Sequence, residues 1–248
     1  MSKLLIYTCT SGHYNDYTPL WEYCISKSYP EYDYKAEKIE ITNAKYHAAC
    51  CRLFCHPSTT HDYIYVTDVD MMVLREDPSI LDFHLKQMKK DKLNYSNSPR
   101  TTEYLGESRL TGLHFASQQW YKDTKLERES HLRLLKAAKI GERDIDDEIS
   151  LMNICKNAKI GIPKPRPLLR RHHGIHMGTL RHYPNHSRQT RNQQLSMRIS
   201  PKQAKQWLSF YDDIIFKEII KSVSKMNYEI RKELETLYSF CRRWEKQL

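Results

Sequence analysis

Glycine is scarce, with 7 among 248 residues. Neither G-x-G-x-x-G nor G-x-x-x-x-G-K-[ST] occurs, so the glycine-rich routes to a dinucleotide or a triphosphate are closed. No apolar run approaches the roughly 18 to 20 residues a bilayer span needs, and the polar residues 8–16 leave no core for a signal peptide. A soluble, cytosolic protein is therefore expected. The 7 cysteines are odd in number and lack both paired C-x-x-C modules and a secreted disulfide framework, so reduced thiols are expected. Internal repeats and low-complexity tracts are missing as well, which excludes solenoids and arrays.

What is present is a globular composition, 40% hydrophobic and 28% charged, with a net charge of +10 at pH 7. Residues 181–248 hold 14 Lys and Arg against 7 Asp and Glu, so most of the excess sits in that quarter. A phosphate-bearing or polyanionic partner is favoured.

Apolar runs of strand length at residues 3–10 and 61–67, a weaker strand at 34–41 and a short strand at 113–116 alternate with helical stretches at 18–29, 43–54, 79–90, 122–139 and 146–157. Thr18 and Pro19 offer an N-cap and a first-turn proline, and Asn43 offers a second cap. Strands and helices in alternation imply an α/β domain with a mainly parallel sheet flanked by helices. That domain closes near Arg181, giving a catalytic domain over 1–181. A polar stretch then leads into a basic helical C-terminal extension, 182–248, with apolar residues at Trp207, Phe210, Ile214, Ile215, Ile219 and Val223. Packing on the sheet domain, homo-oligomer formation and contact with a membrane surface are three uses for such an appendage.

The chemistry concentrates at Asp68-Val69-Asp70. Extended backbone sends residues i and i+2 to one side, so two carboxylates at the carboxyl end of a buried strand face the same space. In α/β sheets ligands bind at that end, and hard cations such as Mg²⁺ take carboxylates together with substrate phosphates. The pair suits a nucleoside diphosphate. A further acidic cluster, Asp146-Asp147-Glu148, opens the helix at 146–157, where the helix dipole and capping both favour anions.

Residues 63–74, the D-x-D included, resemble the metal-binding strand of A-type (GT-A, Rossmann-like) nucleotide-diphospho-sugar glycosyltransferases. The likeness is to the glycogenin-like and viral capsid-glycan transferases and covers roughly residues 1–181. It implies a nucleotide-sugar donor, with a UDP-sugar favoured, a carbohydrate or glycoprotein acceptor, and Mn²⁺ or Mg²⁺ on the diphosphate. Asp70 would bind the metal directly, and Asp68 would assist or reach the ribose. Thr8-Cys9-Thr10 and Tyr14 resemble the family's nucleotide pocket, and Lys45 and Arg52 its basic helix positions, although a solvated helix face explains either cation singly. Gly112, in Thr111-Gly112-Leu113-His114, resembles the small residue facing the donor sugar, while His114 reads as a core histidine. Asp147 is the first choice for the group at the reacting centre, followed by Asp146 and Glu148. The family often has glutamine there, so the anomeric outcome is unassigned. His172-His173-Gly174-Ile175-His176-Met177-Gly178 and Arg181 resemble an H-x-x-G-x-x-K element. Either His176 or His173 completes the metal site, His176 being preferred on the glycine register, and Arg181 holds the diphosphate.

Two other functions fit parts of the pattern. A hydrophobic strand followed by D-x-D also opens haloacid-dehalogenase-like phosphatases, with Asp68 as nucleophile, Asp70 as acid/base and Asp146-Asp147 on Mg²⁺. Against this, two βα units precede the strand and Met71-Met72 follow it. A nucleic-acid-binding protein would use the basic tail but leaves the D-x-D without a purpose. His47, Cys51 and Cys55 share a helical face at zinc-like spacing, yet no fourth ligand is evident and small buried residues account for them.

Overall fold

A computed structural model describes residues 3–40, 47–100, 106–137, 145–164, 173–181, 195 and 199–245. In chain order its elements are β1 (Leu4–Thr10), α1 (Thr18–Ser28), β2 (Asp33–Lys38), α2 (His47–Phe54), β3 (Tyr63–Val66), β4 (Met71–Val73) and α3 (Ile80–Asp91). There follow β5 (Tyr95–Ser96), β6 (His114–Ser117), α4 (Gln118–Asp123), α5 (Lys125–Ala137), α6 (Asp147–Asn157), β7 (Gly174–His176) and α7 (Gly178–Arg181). The last three are α8 (Pro201–Phe210), α9 (Ile214–Met226) and α10 (Tyr228–Glu245). The chain divides into two compact units. One comprises Met1–Gly12, Tyr32–Asp68 and Pro78–Arg171; the other comprises His13–Glu31, Val69–Asp77 and His172–Leu248.

The first unit is α/β. Its sheet has the order β2-β1-β3-β6-β5, with β1 parallel to both β2 and β3. Strand β6 is antiparallel to β3 and β5 antiparallel to β6, so four of the five strands point the same way. All seven residues of β1 are buried because both sheet faces are covered, which is why its sequence is a continuous apolar run. On one face Leu5, Tyr7, Ile64 and Val66 meet Leu53, Phe54, Leu151 and Ile154 from α2 and α6. On the other, Tyr65 and Phe115 pack against His84 of α3, with ring centroids 5.3 and 4.7 Å away. Helix α3 is capped by Ser79, which accepts from the Asp82 amide, and α6 by Asp146, which accepts from the Ile149 amide at 2.8 Å. The cap expected at Asn43 lies outside the described residues.

The second unit joins a two-stranded antiparallel ribbon, β4 with β7, to helices α1, α8, α9 and α10. Gly174 is required by close approach: a Cβ there would stand 2.0 Å from the Met72 carbonyl oxygen on the paired strand. Tyr23 of α1 packs edge-on to Phe210 and tilted on Phe216, and Trp207, Phe216 and Leu237 are fully buried. The Tyr17 hydroxyl donates to buried Glu233 at 2.5 Å. Asp213 caps α9 while accepting from Tyr23 and pairing with Lys27 of α1 at 2.7 Å.

One local expectation is corrected. Tyr17, not Thr18, occupies the N-cap of α1, with no side-chain cap, because Thr18 is already helical and Pro19 supplies the preset first turn. Of the apolar stripe in the tail, Trp207, Phe210 and Val223 are buried, but Ile214 and Ile215 are 67% and 57% exposed. They lie in the first turn of α9, whose buried side is set by Phe216 and Val223. Among the described residues no helix is long and apolar enough to cross a membrane.

Candidate functional site

In the first unit, β3 runs out at Val66 and the chain continues through Thr67 to Asp68. The Thr67 amide still bonds to the Tyr7 carbonyl at 2.9 Å, which fixes the strand exit against β1. Arg52, on the α2 face turned to the sheet, is 3% exposed, so it does not lie on a solvated face. Its Nη1 meets Asp68 Oδ1 at 2.5 Å, its Nη2 donates to Asp147 Oδ2 at 3.0 Å, and its Nε donates to the Ala49 carbonyl at 3.1 Å. A planar guanidinium fork is the side chain that can hold two carboxylates apart in fixed geometry. Gly112 makes room for this bridge: a Cβ on it would be 2.7 Å from Arg52 Nη2 and 3.2 Å from Asp147 Oδ2.

The three consecutive acids at the head of α6 do three different things. Asp146 spends its carboxylate on the cap. Asp147 turns to Arg52. Glu148 is buried and accepts from Arg100 through Nε at 2.9 Å and through Nη2, from Arg109 Nη1 at 3.2 Å, and from the Gly112 amide at 3.2 Å. Burial pushes the Glu148 carboxyl above its ordinary range, while the hydrogen bonds and charge of Arg100 pull it back.

Thr8 is fully buried, and its hydroxyl donates to the Thr67 carbonyl at 2.9 Å, so that side chain ties β1 to the strand exit. The Cys9 thiol lies 3.1 Å from the Tyr7 hydroxyl and is pushed up to about 12, chiefly by burial, which keeps it protonated and unreactive. Thr10 is buried, and its carbonyl accepts from the Ile39 amide. His114 is a core histidine: it is wholly buried, 4.4 Å from the Trp120 ring, and its Nδ1 accepts from Asn97 at 3.2 Å. Burial, with the nearby Arg128 charge second, lowers its pKa to about 3 and leaves it neutral. Lys45 lies outside the described residues.

In the second unit, Asp70 is buried just before β4, and its backbone carbonyl accepts from the Met177 amide at 2.9 Å. The ribbon pairs Met71 with His176, which sets His176 Nε2 3.3 Å from Asp70 Oδ1. His173, one residue before β7, faces away to Glu76 at 3.4 Å, and Glu76 also accepts from Gln203. Of the two candidate histidines, His176 is therefore the one beside an aspartate. Asp68, which ends the Tyr32–Asp68 segment of the first unit, is separated from Asp70 by Val69 alone. Tyr14 is exposed, its ring 4.4 Å from that of His13. Arg181 ends the short helix α7, and its side chain lies outside the described residues.

The sequence offers the loop from Arg100 to Arg109 as one that could contact the sugar, but not the pairing of its two arginines with Glu148. Their partner is 48 or 39 positions away, and nothing in the local pattern announces it.

No family model matches the chain, and no curated protein matches it. Among solved structures, the apo-form glycosyltransferase GlyE of Streptococcus pneumoniae TIGR4 aligns with 64% of this chain at 9% identity and a TM-score of 0.39. The match spans 44% of that structure.

Proposed function

We propose that this chain is a metal-dependent glycosyltransferase that moves a sugar from a nucleoside-diphosphate donor, a UDP-sugar by preference, to a hydroxyl of a glycan or glycoprotein. The observation that carries this proposal is His176 Nε2 standing 3.3 Å from Asp70 Oδ1, the second carboxylate of the Asp68-Val69-Asp70 element. Two carboxylate oxygens and one imidazole nitrogen are a donor set that suits Mn²⁺ or Mg²⁺ and leaves positions for phosphate oxygens. Such an ion, when bound, neutralises charge on a departing diphosphate.

The chain's own residues do the rest. Arg52 pairs with Asp68 and holds Asp147 in place at the head of α6. Asp147 is assigned to the reacting centre, facing the anomeric carbon or the acceptor hydroxyl, and Gly112, assigned to the donor-sugar side, leaves room for the Arg52–Asp147 pair. Arg181, Thr8 to Thr10, Tyr14 and Lys45 are assigned to the nucleotide and its phosphates.

A thermal-shift panel of nucleotide sugars with and without Mn²⁺ tests the proposal. A ligand at a hundred times its Kd stabilises by about 2.7 kcal/mol, so a productive pair raises Tm only when both components are present. Asp70→Ala should remove the Mn²⁺-dependent shift and all turnover. Turnover surviving in that variant refutes the assignment, and a phosphoaspartate trapped at Asp68 replaces it with the phosphatase chemistry.

A further inference from the structure

Residues 98–100 and 109–111 run side by side in antiparallel fashion. Pro99 bridges Leu110, the Arg100 amide donates to the Arg109 carbonyl at 2.8 Å, and the Thr111 amide donates to the Ser98 carbonyl at 3.2 Å. That register sets Arg100 directly opposite Arg109. Like charges directly opposite in a strand pair repel at Cβ separations of about 5 Å, and here both side chains are mostly withdrawn from water. Such a pairing survives only with a counter-ion.

Glu148 is that counter-ion. One carboxylate takes both guanidinium groups, and its Oε1 also accepts the Gly112 amide. The Glu148 peptide carbonyl accepts from the Leu110 amide at 3.2 Å. The segment is thus fastened to α6 by backbone and side chain together, and its continuation, Gly112, is the residue that abuts the Arg52–Asp147 pair. We infer that Glu148 is a positioning residue: it neutralises the Arg100–Arg109 pair and, through Gly112, fixes where Asp147 and Arg52 stand. This gives Glu148 a role other than that of reacting carboxylate. It rests on the assignment of Asp147 to the reacting centre.

The test compares Glu148→Gln with the double variant Glu148→Gln/Arg109→Gln, using two readouts. The first is amide hydrogen exchange at Leu110, Thr111 and Gly112 without any donor, which does not depend on what the protein catalyses. Glu148→Gln should speed exchange there by roughly tenfold or more, and adding Arg109→Gln, which removes the repulsion, should bring it back to within about threefold of wild type. The second readout is steady-state transfer. The loss in Glu148→Gln should fall mainly on donor KM, by about tenfold, and the second substitution should recover it. If instead kcat falls by about a hundredfold or more, as for loss of a proton-transferring group, with unchanged exchange and no rescue, Glu148 is the reacting carboxylate and the inference is wrong. If the wild type transfers no sugar, the transferase proposal fails, and exchange alone decides: unchanged protection in Glu148→Gln overturns the lock. Should the single variant not fold, the double variant must; a double variant that also fails to fold refutes the counter-ion role.

Discussion

Replacing Arg52 perturbs the candidate site at the point where the physics is most constrained. The guanidinium is 3% exposed, donates to the Ala49 carbonyl and to Asp147, and forms an ion pair with Asp68. A lysine ammonium is a point charge that can reach one carboxylate, so Arg52→Lys forfeits one charge-assisted bond and the Nε bond. Hydrogen bonds to charged groups are worth about 1.5–3 kcal/mol net. Because the Asp68 and Asp147 side chains are 32% and 19% exposed, water recovers part of this, leaving a loss of about 2–3 kcal/mol. Arg52→Met strips both carboxylates of the cation. Breaking a buried pair costs about 3–5 kcal/mol, discounted here to about 2–4 kcal/mol on the same grounds. At about 2–4 °C per kcal/mol for a chain of this length, either variant should melt roughly 5–15 °C lower. Circular dichroism melts at pH 7 read this directly. If both variants stay within about 0.5 kcal/mol of wild type, as surface substitutions do, Arg52 is not the clamp described.

Gly112→Ala should cost about 1–3 kcal/mol as its methyl forces the Arg52 fork off Asp147, with a larger drop in transfer rate than in Tm; a neutral outcome would mean that the fork has room to move. His176→Ala should weaken Mn²⁺ binding, measured by calorimetry, by an order of magnitude or more. His173→Ala should leave that affinity near wild type while lowering Tm, since His173 is buried against Glu76; the opposite pattern would exchange the two assignments. Asp213 is held down to about 2, from 3.8, by Lys27 first, then by the Tyr23 hydroxyl and the Ile215 amide. A depressed carboxyl stabilises above its unfolded value and loses that contribution as pH falls through its folded value. Asp213→Asn should therefore melt lower than wild type at neutral pH, and the gap should close between about pH 4 and pH 2. A gap that is constant with pH would show that capping, not charge, is what Asp213 supplies.

Strands β1 and β3 were legible because their burial is two-sided. The apolar runs around β1 and β3 carry no alternation, as expected where helices cover both faces, and the reversal of β6 is invisible because an antiparallel strand can have the same composition. The D-x-D was legible because it needs only the period of extended backbone. The choice between His173 and His176 was not, since it depends on the pairing of Met71 with His176 across a ribbon whose strands lie a hundred residues apart. Nor could sequence show that residues 13–31 and 69–77 belong to one compact unit with the C-terminal helices. That grouping rests on contacts such as Tyr17 with Glu233, separated by 216 positions.

The acidic cluster shows most directly what pattern can and cannot carry. Three consecutive acids at a helix start are drawn there together by the same dipole and the same unsatisfied amides. Successive side chains nevertheless leave a helix about 100° apart, so the three cannot share one partner and must divide. The N-cap position gives Asp146 the amide of Ile149. The next two point to different neighbours, Asp147 to the helix that carries Arg52 and Glu148 to the paired segment that carries Arg100 and Arg109. The division follows from charge as well. Asp68 and Asp147 share one guanidinium while Glu148 holds two, so Asp147 is bound by fewer direct cationic contacts than its neighbour. A carboxylate that must accept or orient a reacting group has to exchange partners during turnover, and the one sharing its cation can do so at lower cost than the one on which two arginines depend.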